Sequence, residues 1–190
     1  MIVNEKALVR QMKDAYKNQG YTVAVRDDRM MITSGYWIVD IDMDDVPSEV
    51  LALIALHVRM IPDNDRAYKV VKGDDGPFVQ SKLITDAMGG LEQLDKELSE
   101  AKFQHEYIRM KKTSLCYDGQ GVWQAIESND IFLIDPRYEV LICSDAIVYR
   151  VGNGLYAEGA VSRAWVLRVA VSGEDAAKVR HLQQRRWVTA

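Results

Sequence analysis

The sequence predicts an α+β fold with a small N-terminal α+β lobe, a central helix, and a β-rich antiparallel C-terminal lobe that ends in a terminal helix. Helical and strand patterns alternate over the first 80 residues, a run with heptad spacing follows, and short strand patterns separated by turn residues come after it. We therefore divide the chain into residues 1–80, 81–106 and 107–190. With 48% hydrophobic and 27% charged residues, the 190-residue chain has a globular composition.

The N-terminal lobe is predicted to begin with a helix and continue into an antiparallel meander. Asn4 is a typical N-cap, and apolar residues then recur at helical spacing until Gly20 ends the pattern. Ser34 and Gly35 form a turn before the last strand of the meander. The predicted strands are residues 21–25, 30–33 and 36–42.

A second helix is predicted between two prolines, over residues 48–60. Pro47 suits a helix start, because its missing N–H has no partner there, and Pro62 cannot continue the helix. We expect this helix to be buried against the meander, because it is almost wholly apolar. Its apolar residues are Val50, Leu51, Leu53, Ile54 and Leu56. A short strand over residues 67–72 follows.

The central segment has the clearest periodicity in the chain. Its core positions are separated alternately by three and four residues, and they are Ile84, Ala87, Leu91, Leu94, Leu98, Ala101, His105 and Ile108. This spacing fits a coiled-coil seam through Ile84, Leu91, Leu94 and Leu98, and we expect a homodimer from it. It also fits a helix packed on the core of its own chain, and Gly89 with Gly90 interrupts the run.

The remaining residues are predicted to form strands and a final helix. Gly152 and Gly154 indicate a hairpin turn. The helix is predicted over residues 173–184, with acids at its start and arginines at its end. The candidate strands are residues 107–111, 114–117, 122–126, 130–134, 138–143, 146–151 and 164–171.

An acidic run is the most unusual local feature. Residues 26–49 contain seven acids and two bases. On a strand Asp40, Asp42 and Asp44 would share one face, and Asp45 and Glu49 would extend it. We predict that these five acids bind a basic partner, and that replacing Asp40 and Asp42 with Asn leaves the fold intact. The alternative is a solvent-facing strand edge that runs into a helix capped by Asp44 or Asp45.

Tests for other chemistries give no recognisable site. A calcium loop starting at Asp40 would need Gly where Asp45 stands and Glu where Leu51 stands. The histidines and cysteines lack metal-ligand spacing, so we predict no metal and no cofactor. They are His57, His105, His181, Cys116 and Cys143. The net charge of −4 argues against a general nucleic-acid binder, and no segment is long and apolar enough for a membrane span.

Residues 4–10, 20–25 and 34–37 resemble small proteins carried by phages and prophages of intestinal bacteria, and some acidic phage proteins of this size are similar to type II anti-CRISPR inhibitors. The resemblance implies a non-enzymatic, cytoplasmic inhibitor that blocks a Cas9-type nuclease with its guide RNA. The alternative is a small enzyme or nucleic-acid-processing factor whose site is assembled only in the fold. A basic C-terminal segment, with Arg180, Arg185 and Arg186, leaves direct nucleic-acid binding open.

Overall fold

The computed structural model describes residues 1–73, 78–79, 107–109, 113–117, 123–127, 133–134, 147–151 and 154–167. These residues confirm the predicted α+β class. The helices are α1 (Glu5–Lys17) and α2 (Ser48–Val58), with a 3-10 turn at Met43–Asp45. The strands are β1 (Tyr21–Arg26), β2 (Arg29–Thr33), β3 (Trp37–Asp42), β4 (Arg66–Val70), β5 (Phe78–Val79), β6 (Tyr107–Arg109), β7 (Thr113–Tyr117), β8 (Trp123–Glu127), β9 (Ile147–Val151), β10 (Gly154–Glu158) and β11 (Ser162–Leu167).

Eight of these strands form one antiparallel sheet in the order β5-β4-β1-β2-β3-β11-β10-β9. A second sheet has the order β6-β7-β8. The first sheet is continuous because β11 pairs with β3, with Arg163 opposite Asp40 and Trp165 opposite Ile38. It therefore contains strands from both predicted lobes. The predicted boundaries at residues 80 and 106 lie outside the described residues.

Helix α1 begins after Asn4 and ends before Gly20, as the sequence predicts. The Asn4 side chain accepts a hydrogen bond from the Ala7 N–H at 3.1 Å, which satisfies one of the free donors at the helix start. At the other end, the Gly20 N–H donates to the Ala15 carbonyl at 2.7 Å. Gly20 has a φ of +80°, which turns the chain directly into β1.

The main core lies between the two helices and one face of the sheet. Alternate residues of the strands point to this face, although β1 and β2 also bury most of the residues between them. The residues that pack together include Leu8, Met12, Val23, Val25, Ile32, Val39, Ile41, Val50, Ile54, Tyr68, Ala164 and Val166. The opposite face carries Asp40, together with the buried Thr22, Met31 and Thr33.

Three predictions about these elements need correction. The outer side of α2 is not buried, since Leu56 is 73% exposed. β3 is an interior strand rather than an edge, because β2 and β11 flank it. Strand β10 directly follows the predicted hairpin turn, where no strand was predicted. Within the predicted strand 130–134, the described residues contribute a single bridge, between Ile134 and Val3.

Heptad positions 84–105, the predicted strand 138–143 and the predicted terminal helix 173–184 lie outside the described residues, whereas the last heptad position, Ile108, is described and lies in strand β6. The homodimer seam through Ile84, Leu91, Leu94 and Leu98 therefore stays a prediction. Among the described residues, no helix is long and apolar enough to cross a membrane.

Candidate functional site

The structure separates the five predicted partner-binding acids into two groups. Asp40 is fully buried, and the half-buried Asp42 lies beside it on the same strand face. Asp44, Asp45 and Glu49 are exposed. The chain leaves β3 after Asp42, so Asp44 lies in the 3-10 turn and not on the predicted strand face. Neither Asp44 nor Asp45 caps α2, whose N-cap residue is Pro47, without a side-chain hydrogen bond.

Two arginines surround the buried carboxylate of Asp40. The Nε of Arg29 lies 3.0 Å from both carboxylate oxygens. The Nε and Nη2 of Arg163 donate to Oδ2 at 2.8 and 2.6 Å. Arg29 also donates through Nη1 to Asp42. The two acids and two bases together have no net formal charge. We call them the Asp40 cluster, which consists of Asp40, Asp42, Arg29 and Arg163.

The register of the sheet builds this cluster. Arg163 lies directly opposite Asp40 on β11, while Arg29 lies opposite Asp42 on β2 and diagonal to Asp40. A carboxylate buried with two arginines has its charge compensated and its oxygens occupied. Asp40 therefore cannot offer its charge to a partner surface. Its burial contradicts the prediction that it is one of the partner-binding acids. The cluster instead ties together three strands, β2, β3 and β11.

The exposed acids collect at one end of the large sheet. The β1–β2 turn, the end of β3 and the start of β4 meet there. The Met43 N–H donates to the Asp28 carbonyl at 2.9 Å, and the Asp65 N–H donates to the Val25 carbonyl at 2.7 Å. These contacts bring together three pairs of exposed carboxylates, which we call the acidic rim. The rim consists of Asp27, Asp28, Asp44, Asp45, Asp63 and Asp65.

Two basic residues of this sheet end pair with rim acids. Arg26 lies 3.4 Å from Asp27 and Arg66 lies 3.9 Å from Asp63, measured between nitrogen and carboxylate oxygen. Arg29 is directed into the Asp40 cluster instead. Six acids against two pairing bases give the rim an excess of four negative charges. Glu49 continues this charge into the first turn of α2.

A cluster of Tyr16, Tyr21 and His57, which no motif in the sequence indicates, joins both helices to β1. His57 stacks on Tyr16 with ring centroids 3.8 Å apart, and its Nδ1 lies 3.0 Å from the Tyr21 hydroxyl oxygen. Partial burial, followed by the charge of Lys13, lowers the pKa of His57. Burial, with a smaller effect from Tyr16, raises the pKa of Tyr21. Both pKa shifts favour the neutral form of the side chain.

The positions of these aromatic residues in the sequence give little indication that they lie together. Tyr16 and His57 each occupy a position on a helix, 41 positions apart along the chain. Only the packing of α1 against α2 brings them together. Among the described residues, no group of three or more His, Cys, Asp or Glu side chains is arranged to hold a metal ion.

Comparisons with known proteins give a distant likeness only. No family model matches the chain, and no curated protein matches it. Among solved structures, the DNA polymerase III beta chain of Streptococcus pneumoniae TIGR4 has 6% identity and a TM-score of 0.34, with 93% of this chain and 66% of that chain covered. A ligand-bound DNA polymerase sliding clamp of Pseudomonas aeruginosa has 14% identity and a TM-score of 0.35, with 92% and 65% covered. This chain thus spans just under two thirds of those chains, and TM-scores this low carry no argument about its function.

Proposed function

We propose that this protein is a non-enzymatic binding protein whose acidic rim docks on a basic, nucleic-acid-binding surface of another protein. The observation that supports this function is the excess of exposed carboxylates at one end of the sheet. Three separate chain segments contribute to it, and the two bases beside it already pair with Asp27 and Asp63. Such a surface attracts a positive channel and imitates the charge of phosphate groups.

The narrower proposal is an inhibitor of a Cas9-type nuclease with its guide RNA, acting in the cytoplasm of a bacterial host. Its support is the resemblance of residues 4–10, 20–25 and 34–37 to phage proteins. The burial of Asp40 and the pairing of the half-buried Asp42 with Arg29 remove these two acids from the proposed binding residues. Asp44, Asp45 and Glu49 remain from the original prediction, and Asp27, Asp28, Asp63 and Asp65 join them.

The experiment measures association rates with an immobilised Cas9–guide RNA complex at low and high salt. Asp45→Lys changes the rim by two charge units, and Asp14→Lys makes the same change at an exposed position of α1. We expect Asp45→Lys to slow association about fivefold or more at low salt, and Asp14→Lys to stay within about twofold of wild type. At high salt the rates of all three proteins should converge, because screening removes the long-range attraction.

Two results would count against the proposal. If Asp45→Lys and Asp14→Lys slowed association equally, the rate would depend on the net charge of the protein and not on the rim. No binding to the Cas9 complex would remove the narrower proposal. A pull-down from host lysate with wild type and Asp45→Lys would then test the broader one, which predicts a basic protein that only wild type retains. If the two baits retained the same proteins, the rim would have no binding role.

A further inference from the structure

The outer face of α2 is apolar and exposed. Ala52, Ala55 and Leu56 are exposed on this side of the helix, while Val50, Leu53, Ile54 and Val58 face the core. Leu56, at 73%, is the most exposed of the large hydrophobic residues in the described part of the chain, and Met60 at 46% and Ile61 at 38% follow just beyond the end of the helix. A helix that is apolar on all sides is normally covered on all sides.

The charges on this face are placed at its two ends. Glu49 is exposed in the first turn of α2, and Arg59 is exposed where the helix ends. Residues 49, 52 and 56 are separated by three and four positions, so they form a single stripe along the helix, and Arg59 follows at its C-terminal end, where the backbone is left-handed with a φ of +66°. The stripe is therefore acidic at its start, apolar in its middle and basic at its end.

We propose that this stripe pairs with the same stripe of a second copy of the chain, with the two α2 helices antiparallel about a two-fold axis. Residues 49 and 59 are equidistant from position 54, and so are residues 52 and 56. An antiparallel pair centred there places each Glu49 opposite the second copy's Arg59, and each small Ala52 opposite the second copy's Leu56. The face is thus complementary to itself in charge and in size, as a two-fold interface requires.

The test is the mass of the full-length chain in solution, by sedimentation over a range of micromolar concentrations. We expect Glu49→Arg and Arg59→Glu each to raise the dimer Kd about tenfold, since each change places like charges opposite one another twice. The double variant should return to within about threefold of wild type, because the exchanged charges again match. Leu56→Glu should abolish the dimer.

Lys17→Glu is the matched control, because it removes an exposed base at the end of α1. It should leave the Kd unchanged. A wild-type chain that is monomeric throughout would overturn the proposal. A dimer that keeps its Kd in all α2 variants would also overturn it and would favour the predicted seam at residues 84–98. If each charge variant weakened the dimer and the double variant did not restore it, the antiparallel pairing would be wrong. Circular dichroism confirms that each variant is folded.

Discussion

Asp40 and Arg163 lie directly opposite each other on β3 and β11, although 123 residues separate them in the chain. The Arg163 guanidinium donates twice to Oδ2 of Asp40, which is fully buried. The pair joins the N-terminal meander to a strand from near the C-terminus. This relationship predicts a cost in stability for removing the Asp40 charge, whereas the sequence led to the expectation that the fold would survive this change.

We expect Asp40→Asn to lower the free energy of unfolding by about 3 kcal/mol, because it leaves two arginines beside a neutral, buried amide. Asp45→Asn makes the same chemical change at an exposed position and should stay within about 0.5 kcal/mol of wild type. Urea unfolding followed by circular dichroism measures both. An Asp40→Asn protein as stable as wild type would show that the cluster contributes little to the fold.

A double-mutant cycle tests the pairing of Asp40 with Arg163 itself. We expect Asp40→Asn and Arg163→Gln to show a coupling energy of about 1–3 kcal/mol, since the two side chains are in direct contact. The cycle is needed because Arg163 has a further interaction besides Asp40. The control cycle combines Asp40→Asn with Arg66→Gln, whose guanidinium pairs with Asp63. Its coupling should be near zero, and equal coupling in both cycles would contradict a specific contact.

The elements of the N-terminal part were predictable because their signals are local. Asn4 marks the start of α1, Gly20 marks its end, and Pro47 and Pro62 bracket α2. Each signal acts within a few residues of its own position, so the sequence around it is sufficient. The short runs of apolar and β-branched residues in the meander likewise identify strands without any knowledge of what they pair with.

The position of β3 within the sheet was not predictable in the same way. The residues of a strand do not show whether it lies at the edge or in the interior of a sheet, because this depends on whether a distant segment pairs with it. Here that segment is β11, with Arg163 at the register position of Asp40. The sequence therefore indicated an acidic strand, and it could not indicate that one of its carboxylates is buried.

The exposure of α2 has a related cause. Leu56 belongs to an apolar helix, and composition alone predicts that this helix is buried against the meander without indicating which of its sides is covered. The sheet and α1 cover one side only, so Leu56 faces outward while Ile54 faces the core. The histidine cluster was missed because Tyr16, Tyr21 and His57 meet only once α1 and α2 pack together.

Gly20 and Gly35 provide a matched pair for testing backbone packing. Both have a positive φ, at +80° and +90°, so alanine is strained at either position. A Cβ at Gly20 would collide with the Val70 carbonyl oxygen, while a Cβ at Gly35 would meet nothing within 4 Å. We expect Gly35→Ala to cost about 1 kcal/mol, and Gly20→Ala at least about 2 kcal/mol more. Equal costs in thermal or urea unfolding would mean that the approach of Val70 to Gly20 adjusts freely.

The His57 cluster predicts that stability falls as the pH is lowered below neutral. Burial and Lys13 lower the pKa of His57 in the folded protein, whereas an unfolded chain has the ordinary value of about 6.5. Between these two pKa values the unfolded state binds more protons than the folded state, so the free energy of unfolding must decrease as the pH falls through that window. Protonation would leave Nδ1 able only to donate to the Tyr21 hydroxyl oxygen, because both ring nitrogens of a charged histidine carry a proton.

His57→Gln removes the titrating group, and His105 and His181 remain in the variant as internal controls. The quantity to compare is the change in unfolding free energy between a mildly alkaline and a mildly acidic buffer. We expect this change to be smaller in His57→Gln than in wild type, even if the variant is less stable at both pH values because it loses the stack on Tyr16. The carboxylates contribute equally to both proteins, so their effect cancels in the comparison. An equal or larger pH dependence in the variant would show that His57 keeps its ordinary pKa in the folded state.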